Sequence, residues 1–361
     1  MSTRPAKRSV LDWKAVVGIL LSAALLYWAL RDVDLQKVIA EIREADPLWF
    51  GAAIIITTSV FWLRAWRWGP LLKAALPNTS FQSRLRATMI GFMGNNVLPA
   101  RIGEFARAWA LAKQEHGSVV AAFASLLVER LFDAIAIVTL LFVATALPGF
   151  PPIEEIGGRD FSTMANTAAA VVGALILIAA LLVLAPRRTV RFFELRIAPL
   201  LPQRMRQPLV DALEAFLSGM GSLRSPANVV LIVVQTFIVW LVNGFSFYCA
   251  FRAFGIDASF AGALFLQSVT ALFVSLPSAP GFFGFFESAA RIVLVELFGI
   301  PLNKTLGFAI GFHIGGFIPV TVIGLYYAWR LGLSWKEMGS SEATVEEAVE
   351  RELPAPTRPK R

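Results

Sequence analysis

Arg101, Glu104 and Arg107 fall within seven positions, behind Asn95, Asn96 and Pro99. If a helix restarts after Pro99, Glu104 and Arg107 share one face at i and i+3, with Arg101 a turn earlier. Arginine pairs bidentately with phosphate oxygens. The amides of Asn95 and Asn96 add donors and acceptors, and the unbonded N–H groups of a helix start favour an anion. This combination is a candidate phosphate cradle. Its structural alternative is that Arg101 and Arg107 are topology anchors snorkelling to headgroups.

Glu129, Arg130 and Asp133 stand about a third of the way along the apolar stretch Ala121–Leu147. Glu129 and Asp133 are one helical turn apart, and Arg130 is rotated from them by about 100°. Three ionisable groups in such a stretch must pair or line a polar cavity. They serve either as a substrate or proton site, or as an ion pair locking this helix to its neighbour, for example Glu129 to Arg101 and Arg130 to Glu104. Glu287 is a further carboxylate suited to proton exchange, or else a helix-start acid bridging to Arg291 four residues on. His313 lies among Gly311, Gly315 and Gly316 and reads as a satisfied core residue of close-packed helices. Neither histidine has metal-ligand spacing, and no metal or cofactor is expected. Trp62, Trp66 and Trp68, with Arg64 and Arg67, read as an interfacial belt.

The elements that must carry these residues are membrane helices. The 361 residues are 57% hydrophobic and 16% charged, with mean hydropathy +0.65. A soluble domain of this length needs far more polar surface. The formal charge of +8 is assigned to basic loops on one face of a membrane rather than to nucleic-acid binding. The single cysteine, Cys249, forms no intramolecular disulfide. The basic start followed by Ala15–Leu30 resembles a signal peptide but lacks a small-residue cleavage site, so it is read as an uncleaved first helix.

Spanning helices are predicted at about 12–30, 48–68, 119–146, 164–185, 227–250 and 304–330. Two further segments, about 82–112 and 261–299, are interrupted. The first break holds Pro99 and Gly103; the second holds Pro277, Pro280, Gly281 and Gly284. Helix breakers at membrane depth belong in protein or against a wet cavity, and paired breaks in the two halves point to a transporter site. Basic loops at 64–86, 101–113 and 187–224 read as inside; the acidic loops 31–46 and 148–160 read as outside. Both termini then lie in the cytoplasm. The expected fold is an all-α polytopic membrane protein with about six spanning helices and two re-entrant hairpins in an inverted repeat, the alternative being eight kinked spans. The halves are about 12–146 and 164–330, between a cytoplasmic segment 1–11 and a disordered cytoplasmic tail 331–361. Arg187–Arg224 is too charged to span and suits a segment lying on the inner leaflet.

Three motifs in order carry a family resemblance: Asn96-x-x-Pro99-x-Arg101-x-Gly103-Glu104-x-x-Arg107, Glu129-Arg130-x-x-Asp133, and Pro277-x-x-Pro280-Gly281-x-x-Gly284-x-x-Glu287. Over roughly residues 10–330 the chain resembles the transmembrane domain of lysylphosphatidylglycerol synthases and their stand-alone relatives. The resemblance implies lipid translocation, with lysine transfer left to a soluble domain that this sequence does not contain. Phe282 and Phe283 follow Gly281 where the family often has a second glycine, so the synthases' headgroup specificity is not carried over. The expectation is a non-enzymatic flippase-like protein of the cytoplasmic membrane. It would move a phosphate-bearing lipid, of phospholipid or polyprenyl-phosphate type, and use membrane lipids, with proton or ion coupling open. Two alternatives are a membrane-embedded lipid-modifying enzyme and a non-transporting partner of a lipid or glycan synthesis complex. Self-association is left open, and no nucleic acid is expected.

Overall fold

The computed structural model describes residues 13–74, 76–98, 102–152, 155–156, 159–160, scattered positions between 162 and 177, 186–200, 206, 210, 223, 225–276, 278–341 and 344–345. Most of the predicted span at 164–185 lies outside the described residues, as do Pro99, Arg101 and Pro277; of the tail 331–361 expected to be disordered, the described part holds a short helix, Trp335–Gly339, and the rest lies outside the described residues.

The protein is an all-α polytopic membrane protein. The helices are α1 (Trp13–Leu30), α2 (Leu35–Glu44), α3 (Pro47–Leu72), α4 (Phe81–Val97), α5 (Gly103–Glu115) and α6 (Val119–Ala146), then α7 (Pro186–Phe192), α8 (Pro226–Ala253), α9 (Phe260–Ser275), α10 (Phe285–Ala290), α11 (Leu302–Arg330) and α12 (Trp335–Gly339). A two-residue antiparallel ladder pairs Glu155–Ile156 with Arg159–Asp160. Among the described residues α3, α8 and α11 are long and apolar enough to cross a bilayer. At 28 residues α6 is about 42 Å long, enough to cross as well, but it carries Glu129, Arg130 and Asp133.

The stretch expected as an outer loop, 31–46, contains a helix. Asp34 accepts from the N–H groups of Gln36 and Lys37 and so caps α2. The bend of 83° between α1 and α2 lays this amphipathic helix across the end of the bundle, where Val38 is buried and Leu35 and Ile39 are exposed. Asp46 repeats the device at the start of α3, accepting from Leu48 and Trp49.

Both interrupted segments are helical hairpins. The arms of the first have 17 and 13 residues, or about 25 and 20 Å, each short of a roughly 30 Å hydrocarbon core. They run antiparallel. At the tip, a Cβ on Gly94 would lie 2.9 Å from the Gly103 Cα. At the open end the Ser80 N–H donates to Glu115 Oε1 at 3.0 Å. In the second hairpin α9 turns back into α10, which continues as a π-helical stretch, Arg291–Leu297; Gly262 at the open end packs on Phe298.

The second tip takes its shape from glycine. Gly281 and Gly284 have φ of 73° and 88°, a region side chains resist. Phe282 sits there too, with φ 61°. A glycine would adopt this conformation freely; phenylalanine holds it at a cost of about 1–2 kcal/mol.

α11 receives both tips. Asn96 Nδ2 donates to Thr321 Oγ1 at 2.9 Å, and His313 Nε2 lies 2.8 Å from the Gly281 carbonyl oxygen. Eight residues, about 12 Å of helix, separate these anchors. The first hairpin opens toward the end of α11, where Lys113 of α5 reaches Glu337 of α12 at 3.6 Å. The second opens toward its start, where Gly307 packs on α2. The hairpins therefore enter from opposite ends. Pro319 lies inside α11, between the two anchors.

Part of the basic stretch after residue 186 is described. There α7 runs into π and 3-10 turns that leave Phe192 and Leu195 exposed, as suits a segment lying on a membrane surface.

Candidate functional site

The charged centre is built where α3, α5, α6 and α8 meet. Glu129 and Asp133 project from one face of α6, both buried. Arg107 of α5 grips Glu129 with two hydrogen bonds, Nη1 to Oε1 at 2.9 Å and Nη2 to Oε2 at 3.1 Å. Arg67 of α3 bridges the two acids, 2.5 Å from Asp133 Oδ1 and 3.2 Å from Glu129 Oε1. Arg64, one turn earlier, reaches Asp133 Oδ2 at 3.4 Å. From α8, the Trp240 indole N–H donates to Asp133 at 2.8 Å, and the Thr236 hydroxyl accepts from Arg67 at 3.1 Å. Arg130 folds back on its own helix, 2.7 Å from Glu129 and 3.3 Å from Asp133, and lies 3.9 Å from Glu104.

Four guanidinium groups thus meet three carboxylates, leaving one positive charge in excess among the described residues. Access is uneven. The side chains of Arg67, Arg107 and Glu129 are at most 1% exposed, against 34% for Arg130 and 18% for Glu104. Arg107 is covered by the Trp68 ring, 4.1 Å from its guanidinium carbon. Of the arginines in the network, Arg130 is the one with substantial open surface.

Several expectations change. Arg64, Arg67 and Trp68 belong to the interior, not to an interfacial belt; only Trp62 and Trp66 face outward, about 40% exposed. Arg64 and Arg67 share a face at i and i+3, and that face turns toward the α6 acids. Arg107, expected to meet a phosphate, is held by Glu129. The pairing of Arg130 with Glu104 is present at long range; a pairing of Glu129 with Arg101 falls outside the described residues. The bridge to Arg291, one of the two readings of Glu287, gives way to other contacts. Arg291 donates to the carbonyls of Trp28, Ala29 and Arg31, satisfying the bare end of α1.

The break residues pack closely. A Cβ on Gly103 would collide with the Gly91 carbonyl and Asn95, so Gly103 serves helix contact rather than an unusual φ. Asn95 is buried with its Oδ1 unpartnered, whereas Asn96 holds α11. Pro280 opens the 3-10 turn Pro280–Phe282. Glu287 is 1% exposed. It accepts from the Gly284 N–H at 2.7 Å and faces His313 Nδ1 at 2.8 Å, a partner 26 positions away in sequence.

An open groove of about 400 Å³ lies between α3, α8 and the start of α4. Lys73, Arg84 and Gln235 give it polar walls, and Trp66 and Leu231 give it an apolar lip. Arg84 Nε and Gln235 Oε1 are buried without hydrogen-bond partners. Gln235 precedes Thr236, which binds Arg67, so the groove ends beside the charged centre. Among the described residues no group of His, Cys, Asp and Glu is placed to hold a metal ion.

The sequence model of the family described as lysylphosphatidylglycerol synthase TM region matches residues 15–324. A UPF0104 membrane protein of Methanothermobacter thermautotrophicus is 25% identical over 323 residues, covering 86% of this chain and 91% of that one. Glycosyltransferase AglD of Haloferax volcanii is 26% identical over 322 residues, 82% of this chain. The match spans about half of AglD, 51%. A UPF0104 membrane protein of Pyrococcus horikoshii is 30% identical over a shorter stretch of 132 residues, 36% of this chain and 38% of that one.

Proposed function

This chain belongs to the lysylphosphatidylglycerol synthase TM region family, and from that premise we propose that it moves a phosphate-bearing lipid between membrane leaflets. The observation that carries the reading is the buried arginine–carboxylate network with one positive charge in excess and Arg130 as its open face. An anionic headgroup meets Arg130, which Glu104 orients, with the amides of Asn95 and Asn96 and the guanidinium of Arg101 assisting. Glu129, Asp133, Arg67 and Arg107 hold that arginine's surroundings in place rather than touch lipid. The groove beside Lys73 and Arg84 offers a headgroup an approach, with acyl tails remaining beyond Trp66 and Leu231 in the bilayer. The protein resides in the cell membrane with both termini in the cytoplasm, as its loop charges direct.

The test is purified protein in phosphatidylcholine liposomes containing headgroup-labelled phosphatidylglycerol or polyprenyl phosphate, scored by label accessibility at the outer leaflet. Wild type accelerates one lipid class. Arg130→Ala abolishes that acceleration, with circular dichroism and size-exclusion profiles confirming a folded variant; Arg130's close contacts are to Glu129 and Asp133 of its own helix, and its interhelical contact to Glu104 is long, 3.9 Å. Unchanged flipping in Arg130→Ala would refute the site. A second reading, service to glycan assembly as enzyme or partner, draws on the similarity to half of AglD; it is favoured if the lipid changes mass, or if no lipid moves and a synthesis enzyme co-purifies.

A further inference from the structure

Both ring nitrogens of His313 face oxygen atoms. Nε2 is 2.8 Å from the Gly281 carbonyl, and Nδ1 is 2.8 Å from Glu287 Oε1. A carbonyl only accepts, so Nε2 must carry a hydrogen. A proton must then also sit between Nδ1 and the carboxylate, on one side or the other. The pair is imidazolium with carboxylate, or imidazole with carboxylic acid, and either form is neutral overall. Release of one proton leaves a neutral imidazole with a carboxylate. One ring nitrogen then presents a bare lone pair to an oxygen, and one of the two contacts must break.

We propose that His313 and Glu287 form a proton-binding site that couples the transmembrane proton gradient to movement of the second hairpin. The surroundings isolate the pair. Phe286 stacks on the imidazole at 4.6 Å between centroids, and Phe283 lies at 4.8 Å. Among the described residues the charged groups of the packed elements are engaged elsewhere or lie turns away, and α8 carries only Arg252, in its last turn. α1 presents Ser22 and Leu26, and α9 carries no charged residue. Arg291 is engaged with α1 carbonyls. Glu41 of α2 meets α11 at Gly307, six residues before His313. The charges of α3 and α4 lie at Arg64, Arg67, Arg84 and Arg86.

The contact that breaks decides the consequence. Losing the Nε2 bond frees the Gly281 carbonyl, and with it the tip, from α11. That tip packs against α4, the arm that carries Asn95 and Asn96. A protonated pair thus latches the second hairpin to the shared helix, and a deprotonated pair releases it. The coupling rests on the translocation reading; the proton site itself does not.

Glu287→Gln separates the two. Its amide oxygen accepts from the Gly284 N–H and its amide N–H donates to Nδ1, keeping both contacts without an ionisable proton. With ¹⁵N-histidine label in phosphatidylcholine–phosphatidylglycerol liposomes, the His313 ring signals of wild type change with pH, and Glu287→Gln abolishes that response. In the flipping assay, an imposed pH gradient alters the wild-type rate, whereas Glu287→Gln and His313→Gln flip labelled phosphatidylglycerol at a rate indifferent to the gradient. His313 titrating identically in Glu287→Gln would overturn the proposal, as would a gradient response surviving in both variants. A Glu287-dependent titration with no lipid movement upholds the proton site and removes the translocation reading.

Discussion

Replacing Asp133 by asparagine tests whether the charged centre holds the bundle together. Asp133 is 3% exposed and serves Arg67 at 2.5 Å, Arg130 at 3.3 Å and Arg64 at 3.4 Å. Asparagine keeps an oxygen for the Trp240 indole, so that bond, worth about 1 kcal/mol, survives. What is lost is charge: four arginines then face two carboxylates. Removing one partner of a buried ion pair costs about 3–5 kcal/mol, a large share of a total stability of about 5–15 kcal/mol. Arg64 has no other carboxylate partner among the described residues, whereas Arg67 retains Glu129 at 3.2 Å. Arg64→Met should therefore recover at least about 1 kcal/mol of the loss in the double variant, since residues in one network couple. Equilibrium unfolding in mixed detergent micelles measures both quantities. An Asp133→Asn variant within about 1 kcal/mol of wild type, or a loss unaffected by Arg64→Met, would refute the network as a structural unit.

Gly103→Ala must part α4 from α5 and should cost about 1–3 kcal/mol; Gly51→Ala, with nothing within 4 Å of the added Cβ, should be neutral or stabilising, and thermal unfolding of the pair compares them. Phe282→Gly and Phe282→Ala remove the same ring, but only glycine removes the left-handed strain. Phe282→Gly should be the more stable by about 1 kcal/mol in denaturant unfolding, and equal stabilities would show that the turn is unstrained. Pro319→Ala restores a missing N–H inside α11 and should slow amide exchange around Gly315; exchange unchanged there would show that the proline leaves the helix intact.

Much of this was legible in sequence because breakers and charges stand out against apolar runs. Ser118 and Pro148 bracket α6, and its predicted and observed bounds coincide. The paired breaks and alternating loop charges foretold two hairpins entering from opposite ends. Helix rotation was harder to read. Arg64 and Arg67 stand beside three tryptophans, and composition alone matched an interfacial belt; their inward facing depends on how α3 packs along α8. The His313–Glu287 contact joins residues 26 apart through a tip whose shape no periodicity reveals. The spacing of Glu287 and Arg291 allows a bridge within one helix, whereas carbonyls at the end of a distant helix are the acceptors Arg291 takes. In the outer loop the acids read as topology signals, whereas Asp34 also caps a helix.

Pro319 separates the two anchor points on α11, with Thr321 holding the first hairpin and His313 the second. Proline offers no N–H to the carbonyl four residues earlier, at Gly315, so the helix ladder is interrupted there. A rigid rod would carry both tips as one body. A rod weakened between them bends there more readily than elsewhere, so a displacement at one tip need not be carried whole to the other. The two hairpin tips are thereby mechanically separable within a single helix.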